Sequence, residues 1–321
     1  MENQVPLLER KKALLAGLES GGAPVAPEDC ALMLVVELSS TPYQGNTVER
    51  ERMREYLGNV EEVNTGPNTQ VQVTVPWSGS GKPPAEGTEL TAPALGMLLR
   101  GSKMRETFDA ESGEWQYRRI SGEGDALTLY YRHDGEEQCV RAARGTVTGT
   151  ANSGTMPSVQ ITFTGLYERP KAVDVRTLTA KDWADEVPVN FQNTTVWRLH
   201  GFDCIGQNFS FDLANQVVYL NKPNYEGVHI TDSKPTGQVS FQAPRIGVFD
   251  VFQKIESHKV VTTGPIEFEH GTEPGNIVGV RGPKVQLTGF SRQDSEGITH
   301  YQLDTKYQPD EGDDELVLYF K

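Results

Sequence analysis

The sequence predicts a mainly β protein made of two similar units, each a β-sandwich or barrel with a short flanking helix. Two observations support this prediction. One stretch of the chain recurs farther along it, and several segments alternate between apolar and polar residues, as half-buried strands do. The chain has 321 residues, enough for two domains of ordinary size, and its 32 glycines and 19 prolines fit a turn-rich β protein.

The repeat is clearest between residues 129–167 and 266–307. The offset in numbering is 287 − 147 = 140. At this offset identical or similar residues align in the pairs Val140 and Val280, Arg141 and Arg281, Val147 and Leu287, Gly149 and Gly289. Weaker matches pair His133 with His270, Tyr56-Leu57 with Tyr219-Leu220, and Val73 with Val239. Shared order across several segments predicts two copies of one unit.

Within each unit the pattern predicts a strand, a long connection, a strand, a helix and a closing pair of strands. Residues 5–19 fit either a helix or a flexible arm, and residues 44–70 form a charged connection that we interpret as a loop contacting a partner. A solvated hairpin extension is the alternative for that connection. Strands are predicted over 32–38, 71–75, 127–131 and 159–163, and helices over 94–100 and 246–255.

These elements predict four segments along the chain. We expect an N-terminal arm over residues 1–29, a first domain over 30–170, a docked linker over 171–193 and a second domain over 194–321.

The net charge of −14 argues against tight binding to nucleic acid, which draws its affinity from lysine and arginine. The acidic run 310–315 is interpreted as a solvated turn before the last strand. Three cysteines (Cys30, Cys139 and Cys204) without a signal-peptide pattern predict a reducing cytosol and no disulfide framework. No apolar run approaches the length of a transmembrane helix, so no membrane contact is expected.

No catalytic, cofactor-binding or metal-binding residues are predicted, and the chain is not expected to be an enzyme. The sequence Gly79-Ser80-Gly81-Lys82 is a poor match to a phosphate-binding loop, because proline follows the lysine and the earlier glycine is missing. His200 and Cys204 are expected on one strand face, but no second pair completes a zinc site. The acidic run lacks the spacing of a calcium-binding loop.

Several segments resemble the major tail tube proteins of long-tailed (siphovirus-type) bacteriophages. The resemblance covers about residues 30–321. It is carried by Thr47-Val48-Glu49-Arg50, Tyr56-Leu57-Gly58, residues 143–147, residues 161–167, residues 215–219, Ile230-Thr231-Asp232, Pro235-Thr236-Gly237 and residues 283–287.

This resemblance implies two tandem tail-tube-like domains whose sheets join a ring-wide β-barrel, with rings stacking into a virion tail tube through which double-stranded DNA passes without specific binding. The implied partners are other copies of the chain and other tail proteins (terminator, baseplate and tape measure), with assembly in the cytoplasm of the bacterial host. If both domains line the channel, three chains make a pseudo-hexameric ring; if only one does, six are needed. We favour the homotrimer, and we expect acidic residues toward the channel. We also expect deletion of residues 47–62 to abolish tubes while leaving rings intact.

Two other functions remain open at this stage. Another ring-forming tail protein, a tail terminator or baseplate hub, would share the fold. A tandem β-sandwich module binding carbohydrate or a host surface would need an exposed aromatic platform, yet the four tryptophans are scattered along the sequence: Trp77, Trp115, Trp183 and Trp197.

Overall fold

Strands make up most of the chain in a computed structural model, which describes residues 7–86, 89–174, 183–256 and 258–321. Within that part there are two short helices, α1 (Leu95–Arg100) and α2 (Val251–Ile255). The strands before residue 175 are β1 (Lys12–Leu18), β2 (Ala31–Met33), β3 (Glu37–Gln44), β4 (Thr47–Glu49), β5 (Glu62–Asn64), β6 (Asn68–Pro76), β7 (Ala85–Glu86), β8 (Glu89–Leu90), β9 (Met104–Asp109), β10 (Glu114–Arg119), β11 (Leu127–His133), β12 (Glu136–Asn152), β13 (Ser158–Tyr167) and β14 (Lys171–Ala172). Those after residue 182 are β15 (Thr194–Leu199), β16 (Phe202–Asp203), β17 (Gly206–Asp212), β18 (Asn215–Lys222), β19 (Tyr225–Ser233), β20 (Thr236–Gln242), β21 (Thr263–His270), β22 (Val278–Ser295), β23 (Ile298–Gln308) and β24 (Val317–Phe320).

The mainly β fold predicted from the sequence is confirmed, and eight of the strands form one continuous antiparallel sheet. Their order is β3-β6-β13-β12-β17-β20-β23-β22. We call this the eight-stranded sheet. One face of it is apolar and buried, as Val71, Val73 and Val75 of β6 show, and the residues between them point to the opposite face.

The same order of strands occurs twice. In the first half of the chain the order is β3-β6-β13-β12-β11-β1, and in the second it is β17-β20-β23-β22-β21-β15. We call these two sets of strands the first and second units. In each unit a hairpin (β4–β5 or β18–β19) joins the first two strands, and a short helix follows the second strand.

Strand register corrects the offset that the sequence suggested for the closing strands. Ile161 pairs with Val73 and Leu303 pairs with Val239, so the match of Val73 with Val239 makes Ile161 equivalent to Leu303. The offset in numbering is therefore 303 − 161 = 142, whereas an offset of 140 would place Phe163 opposite Leu303. A shift of two positions keeps every side chain on the same face, which is why residue patterns alone do not reveal it.

Packing supports the corrected offset, because a small residue and a large residue exchange places between the units. In the first unit a Cβ at Gly165 would lie 2.4 Å from Cγ1 of Val140. In the second unit a Cβ at Gly282 would lie 2.7 Å from Cδ1 of Tyr307. At the corrected offset Val140 corresponds to Gly282, and Gly165 corresponds to Tyr307.

The two predicted helices are confirmed, although the second is shorter than expected and starts at Val251. The side chain of Asp250 accepts a hydrogen bond from the amide of Gln253, which caps this helix. Residues 5–19, in contrast, form neither a helix nor a flexible arm where the structure describes them. Residues 12–18 are strand β1, which lies between β11 and β2, and its central Leu14, Leu15 and Ala16 are buried.

One apolar core runs through both units. Trp77 of the first unit packs against Phe211 and Phe268 of the second, and Trp197 also packs against Phe268. The predicted linker is described at residues 171–174, where β14 pairs with β12, and at residues 183–193, which are docked: Ser78 Oγ donates to the carbonyl of Ala184, and the amide of Gly154 donates to the carbonyl of Val189. The rest of the linker, 175–182, lies outside the described residues.

Candidate assembly interface

The two units meet inside the chain by direct strand pairing. The last five residues of β12, Thr148 to Asn152, pair antiparallel with residues 212 to 208 of β17. Thr150 faces Ser210 in this register, and Gly149 faces Phe211. We call this contact the internal seam. It joins four strands of the first unit (β3, β6, β13 and β12) to four strands of the second (β17, β20, β23 and β22) in a single hydrogen-bonded sheet.

The internal seam is closely packed on its apolar face. The ring of Phe211 lies against Gly149, where a Cβ would come within 2.1 Å of Cε1, and it meets the Trp77 ring edge to face with 5.4 Å between centroids. On the polar face, the hydroxyl of Thr146 donates to the carboxylate of Asp212 at 3.4 Å. The seam is thus an ordinary part of the fold, with both faces of the paired strands engaged.

Both ends of the eight-stranded sheet have an unpaired edge. Among the described residues, β3 pairs only with β6, and residues 287–295 of β22 pair only with β23. These two edges occupy the positions that β17 and the end of β12 occupy at the internal seam. An exposed strand edge carries unsatisfied amide and carbonyl groups and is a template for pairing with another chain.

The exposed face of the eight-stranded sheet is dominated by hydroxyl and amide side chains. On this face the three acidic residues Glu37, Asp212 and Asp304 nearly balance four basic residues, Arg141, Arg144, Lys284 and Lys306, and Arg141 is paired with the carboxylate of Glu168. Examples of the uncharged majority are Ser39, Thr41, Gln70, Gln72, Thr74, Gln160, Thr162, Thr148, Thr150, Asn152, Asn208, Ser210, Gln238, Gln242, Gln286, Gln293, Gln302 and Gln308.

A second contact between the units lies away from the eight-stranded sheet. Strand β10, from the hairpin β9–β10 that follows α1, pairs with β24, and β24 pairs with the start of β22. Glu114 of β10 is fully buried and accepts a hydrogen bond from Nη1 of Arg281 at 2.6 Å. The guanidinium of Arg281 also stacks on the Tyr319 ring at 3.8 Å. In the described part of the second unit, no matching hairpin follows α2.

A family model described as phage tail tube protein matches residues 10–314, nearly the whole chain. The chain belongs to the phage tail tube protein family. No curated protein matches it. Membership identifies the chain as a structural component of a phage tail, which assembles with itself and with other tail proteins. The resemblance read from the sequence is confirmed.

In this tail tube protein, residues 79–82 and His200 make packing contacts. The amide of Gly81 donates to Gly275, so the 79–82 turn contacts a loop of the second unit. His200 lies in the turn after β15 and not on a strand face with Cys204, which corrects that expectation. Its Nε2 lies 2.9 Å from the carbonyl of Val285, and burial lowers its pKa.

Asp314 accepts the amides of Asp310, Glu311 and Gly312, which makes the acidic run a compact turn. Glu315 is buried and paired with Arg119 at 2.5 Å. Within the described ranges no group of three or more His, Cys, Asp or Glu side chains could hold a metal ion, and no helix is long and apolar enough to span a membrane.

Two of the four tryptophans come together in space. Trp77 and Trp197 meet at Phe268 in the core, Trp115 packs on Phe108, and Trp183 lies partly buried against the core. Sequence inspection missed this cluster because its members are far apart in the chain. It also missed the two unpaired edges: Pro42 within β3 was a signal for one of them, because proline is found in edge strands or at bulges, whereas residues 287–295 contain no such residue.

Proposed function

We propose that three copies of this chain form a closed ring, and that rings stack into the tube through which phage DNA passes. The observation that carries the proposal is the internal seam. It joins two units side by side with their sheets continuous, and it leaves the matching edges free at β3 and at residues 287–295. Pairing of these edges between copies would repeat the same contact and leave no open edge.

The internal seam predicts the register of this intermolecular seam. Gln293 is the counterpart of Thr150, because Gln293 pairs with His300 as Thr150 pairs with Ser158. Ser39 is the counterpart of Ser210, because Ser39 pairs with Gln72 as Ser210 pairs with Gln238. Gln293 of one copy should therefore face Ser39 of the next, and Arg292 should face Ser40. The strands would run antiparallel, as β12 and β17 do.

The continuity of the sheet favours three chains over six. Each chain supplies eight strands from two units, so three chains supply twenty-four strands in six units. The six-chain alternative needs one unit of each chain to leave the channel wall, which would break the pairing of β12 with β17. We therefore keep the trimer, with pseudo-sixfold symmetry, as the proposed ring.

In this arrangement the exposed face of the eight-stranded sheet lines the channel. The balance of acidic and basic residues on that face replaces our expectation of an acidic lining. A wall of hydroxyl and amide groups would let DNA pass without sticking, because phosphate binding requires an excess of lysine and arginine. The net charge of −14 would be carried by other surfaces, among them the 310–315 turn.

We also propose the domain organisation that the repeat suggests, with one change. The first domain covers residues 30–170 together with β1, residues 171–193 are the linker, and the second domain covers 194–321.

The two units within one chain make different contacts through equivalent strands. Phe209 and Phe211 line the internal seam, whereas Leu38 and Ser40 hold the equivalent places on the free edge of β3.

Cysteine cross-linking of assembled protein tests the ring directly. We expect Ser39→Cys combined with Gln293→Cys to give covalent dimers and trimers with a short bismaleimide, while the pair Thr150→Cys and Ser210→Cys cross-links only within one chain. Closed covalent trimers support three-chain rings; covalent hexamers, or a ring of six identical chains in cryo-electron microscopy, contradict them. Absence of any cross-link in assembled tubes would refute this seam.

The proposed place of the protein is the virion tail, after assembly in the bacterial cytoplasm beside terminator, baseplate and tape measure proteins. Other ring-forming tail proteins would use the same edges but form single rings. Purified protein that stays as single rings under all assembly conditions would favour a terminator or hub role over a tube. No specific observation favours carbohydrate binding, because Trp77 is buried in the core and the other three tryptophans are partly buried against it.

A further inference from the structure

We infer that the β4–β5 hairpin packs on the second unit of the neighbouring copy within the same ring. This rests on the proposed ring. It concerns a different surface from the strand edges, because the hairpin leaves the sheet between β3 and β6. The sequence had left its partner open, and our expectation from the sequence was a contact between rings.

The model for this contact is the β18–β19 hairpin, which packs on the first unit of its own chain. It lies against β12 and β13 and joins neither in strand pairing. Val228 and Ile230 are buried within it. Lys103 Nζ donates to the carbonyl of Ile230 at 3.4 Å, and Arg119 Nη1 donates to that of Ser233 at 3.0 Å.

Asn215, where this hairpin begins, fixes it to the neighbouring unit. Its buried side-chain amide donates to the carbonyls of Ser102 and Gly145 at 2.8 and 3.0 Å. Its backbone amide donates to Oγ1 of Thr146. The hairpin therefore starts at the point where β12 leaves β11 for β17. At the far end of this hairpin, the side chain of Asn221 packs on Gly66, which follows β5. A Cβ at Gly66 would lie 2.8 Å from Nδ2 of Asn221.

The β4–β5 hairpin begins with a similar sequence, but the described part of the single chain places no unit beneath it. Asn46-Thr47-Val48 resembles Asn215-Gln216-Val217 of β18, although Asn46 lies five residues after Thr41 and Asn215 three residues after Asp212, the counterpart of Thr41. Asn46 is exposed, and so are the apolar side chains along the hairpin. These are Val48, Met53, Tyr56, Leu57 and Val63, of which Met53 and Leu57 are fully exposed. Apolar residues exposed together on one segment indicate a contact surface.

In the proposed ring, β3 of one copy pairs with β22 of its neighbour. The first unit of that copy therefore lies beside the neighbour's second unit, in the way that the second unit lies beside the first within one chain. At the corrected offset Gly145 corresponds to Leu287, and the segment after α1 that contains Ser102 corresponds to the segment after α2. That segment carries exposed Val260 and Val261, next to exposed Lys259. Valines would meet the apolar hairpin residues, and Lys259 would face a segment in which five glutamates outnumber the three arginines Arg50, Arg52 and Arg54.

Photo-cross-linking from the hairpin tests the contact. Benzoylphenylalanine is placed at Leu57, and the product is mapped in isolated single rings and in tubes. We expect a cross-link between chains, already present in single rings, to a peptide within residues 258–308. A cross-link formed only in tubes, or only to peptides outside that range, overturns the inference while leaving the proposed ring intact.

A matched pair of variants separates this contact from folding. Asn46→Ala should leave the unfolding midpoint of the monomer unchanged and weaken ring formation by about tenfold or more, since a buried amide with its hydrogen bonds is lost between copies. Asn215→Ala should instead lower the monomer midpoint. If Asn46→Ala forms rings as the parent does but fails to form tubes, the hairpin acts between rings and the inference is wrong. If the parent chain forms neither rings nor tubes, the proposed function fails as well.

Discussion

The phenyl ring of Phe211 occupies the space that a side chain at position 149 would need. A Cβ at Gly149 would lie 2.1 Å from Cε1 and 2.5 Å from Cζ of that ring. Strands β12 and β17 therefore pair closely because one partner is a glycine and the other fills the gap. On the free edges the large and the small residue exchange places. Arg292 on β22 is the counterpart of Gly149, and its guanidinium lies 5.9 Å from the Phe290 and Tyr301 ring centroids. The small Ser40 on β3 is the counterpart of Phe211.

Enlarging position 149 should separate the two units. We expect Gly149→Ala to lower the free energy of unfolding by about 1–3 kcal/mol, because the added methyl group forces the Phe211 ring out of a close-packed core. Urea unfolding followed by tryptophan fluorescence measures this, since Trp77 contacts Phe211. Gly122→Ala is the control, because no atom lies within 4 Å of a Cβ there. Equal stability of the two variants would contradict the packing argument.

Removal of the buried carboxylate of Glu114 should be costly. Glu114→Ala removes the closest carboxylate of the half-buried Arg281, which keeps Glu267 at 3.3 Å, and we expect a loss of about 1–3 kcal/mol, as for other charged hydrogen bonds. The matched control is Asp203→Ala, which breaks the exposed pair with Arg198 at 2.8 Å and should cost at most about 1 kcal/mol. Differential scanning calorimetry compares the two. Similar melting temperatures would mean that the contact between β10 and β22 carries little stability.

Two histidines should make the fold less stable in mild acid. Burial lowers the pKa of both His200 and His270, while their hydrogen bonds to Val285 and Val187 act in the opposite direction. In the unfolded chain both titrate near the ordinary value of about 6.5. Since their folded pKa is lower, their contribution to stability is complete above about pH 6.5 and is lost as the pH falls from there through the folded pKa.

We therefore expect the urea midpoint to fall between about pH 7 and pH 5.5, and the double variant His200→Gln, His270→Gln to show a flatter dependence in that range. Carboxylates contribute at lower pH. The pKa of Asp134 is lowered by the backbone amide of Leu8 and by Lys11, so its stabilising effect disappears as the pH falls below about 4. An unchanged slope between pH 7 and 5.5 in the double variant would exclude the two histidines as its cause.

The native cysteines should react slowly in the folded protein. Burial is the main cause that raises the pKa of Cys30 to about 11 and the pKa values of Cys139 and Cys204 to about 12. Because the thiolate is the reactive form, we expect labelling by iodoacetamide near pH 7.5 to be at least about tenfold slower than in urea. Mass spectrometry counts the labelled sites. Rapid labelling of Cys204 in the native protein would show that its surroundings open readily.

Much of the fold could be predicted from local patterns. The alternation in residues 71–75 and 159–163 identifies strands because the apolar residues occupy one face, and the apolar spacing in 94–100 identifies α1. Residues 12–18 were harder, because a buried strand with leucines on both faces has no alternation. Both faces of this strand are buried at its centre, so its apolar residues do not follow the period of two that marks a half-buried strand.

The candidate interface could not be predicted in this way. Pro42 is the one residue of β3 that indicates an edge, because proline cannot donate a hydrogen bond to a neighbouring strand, and residues 287–295 of β22 carry no such signal. The distinction between an edge strand and a central one otherwise depends on which strand lies alongside, and that is a property of sheet order. The clustering of Trp77 and Trp197 at Phe268 likewise joins residues that lie far apart in the chain.

Composition, periodicity and shared motifs were enough to identify the mainly β class, the existence of a repeat and the family. The tertiary structure alone decided the register of that repeat in the closing strands, where Leu303 is the counterpart of Ile161 and not of Phe163. A slip of two positions leaves each side chain on the same face and is therefore silent in any pattern of apolar and polar positions. Only the hydrogen-bonded partners Val73 with Ile161 and Val239 with Leu303 distinguish the two registers.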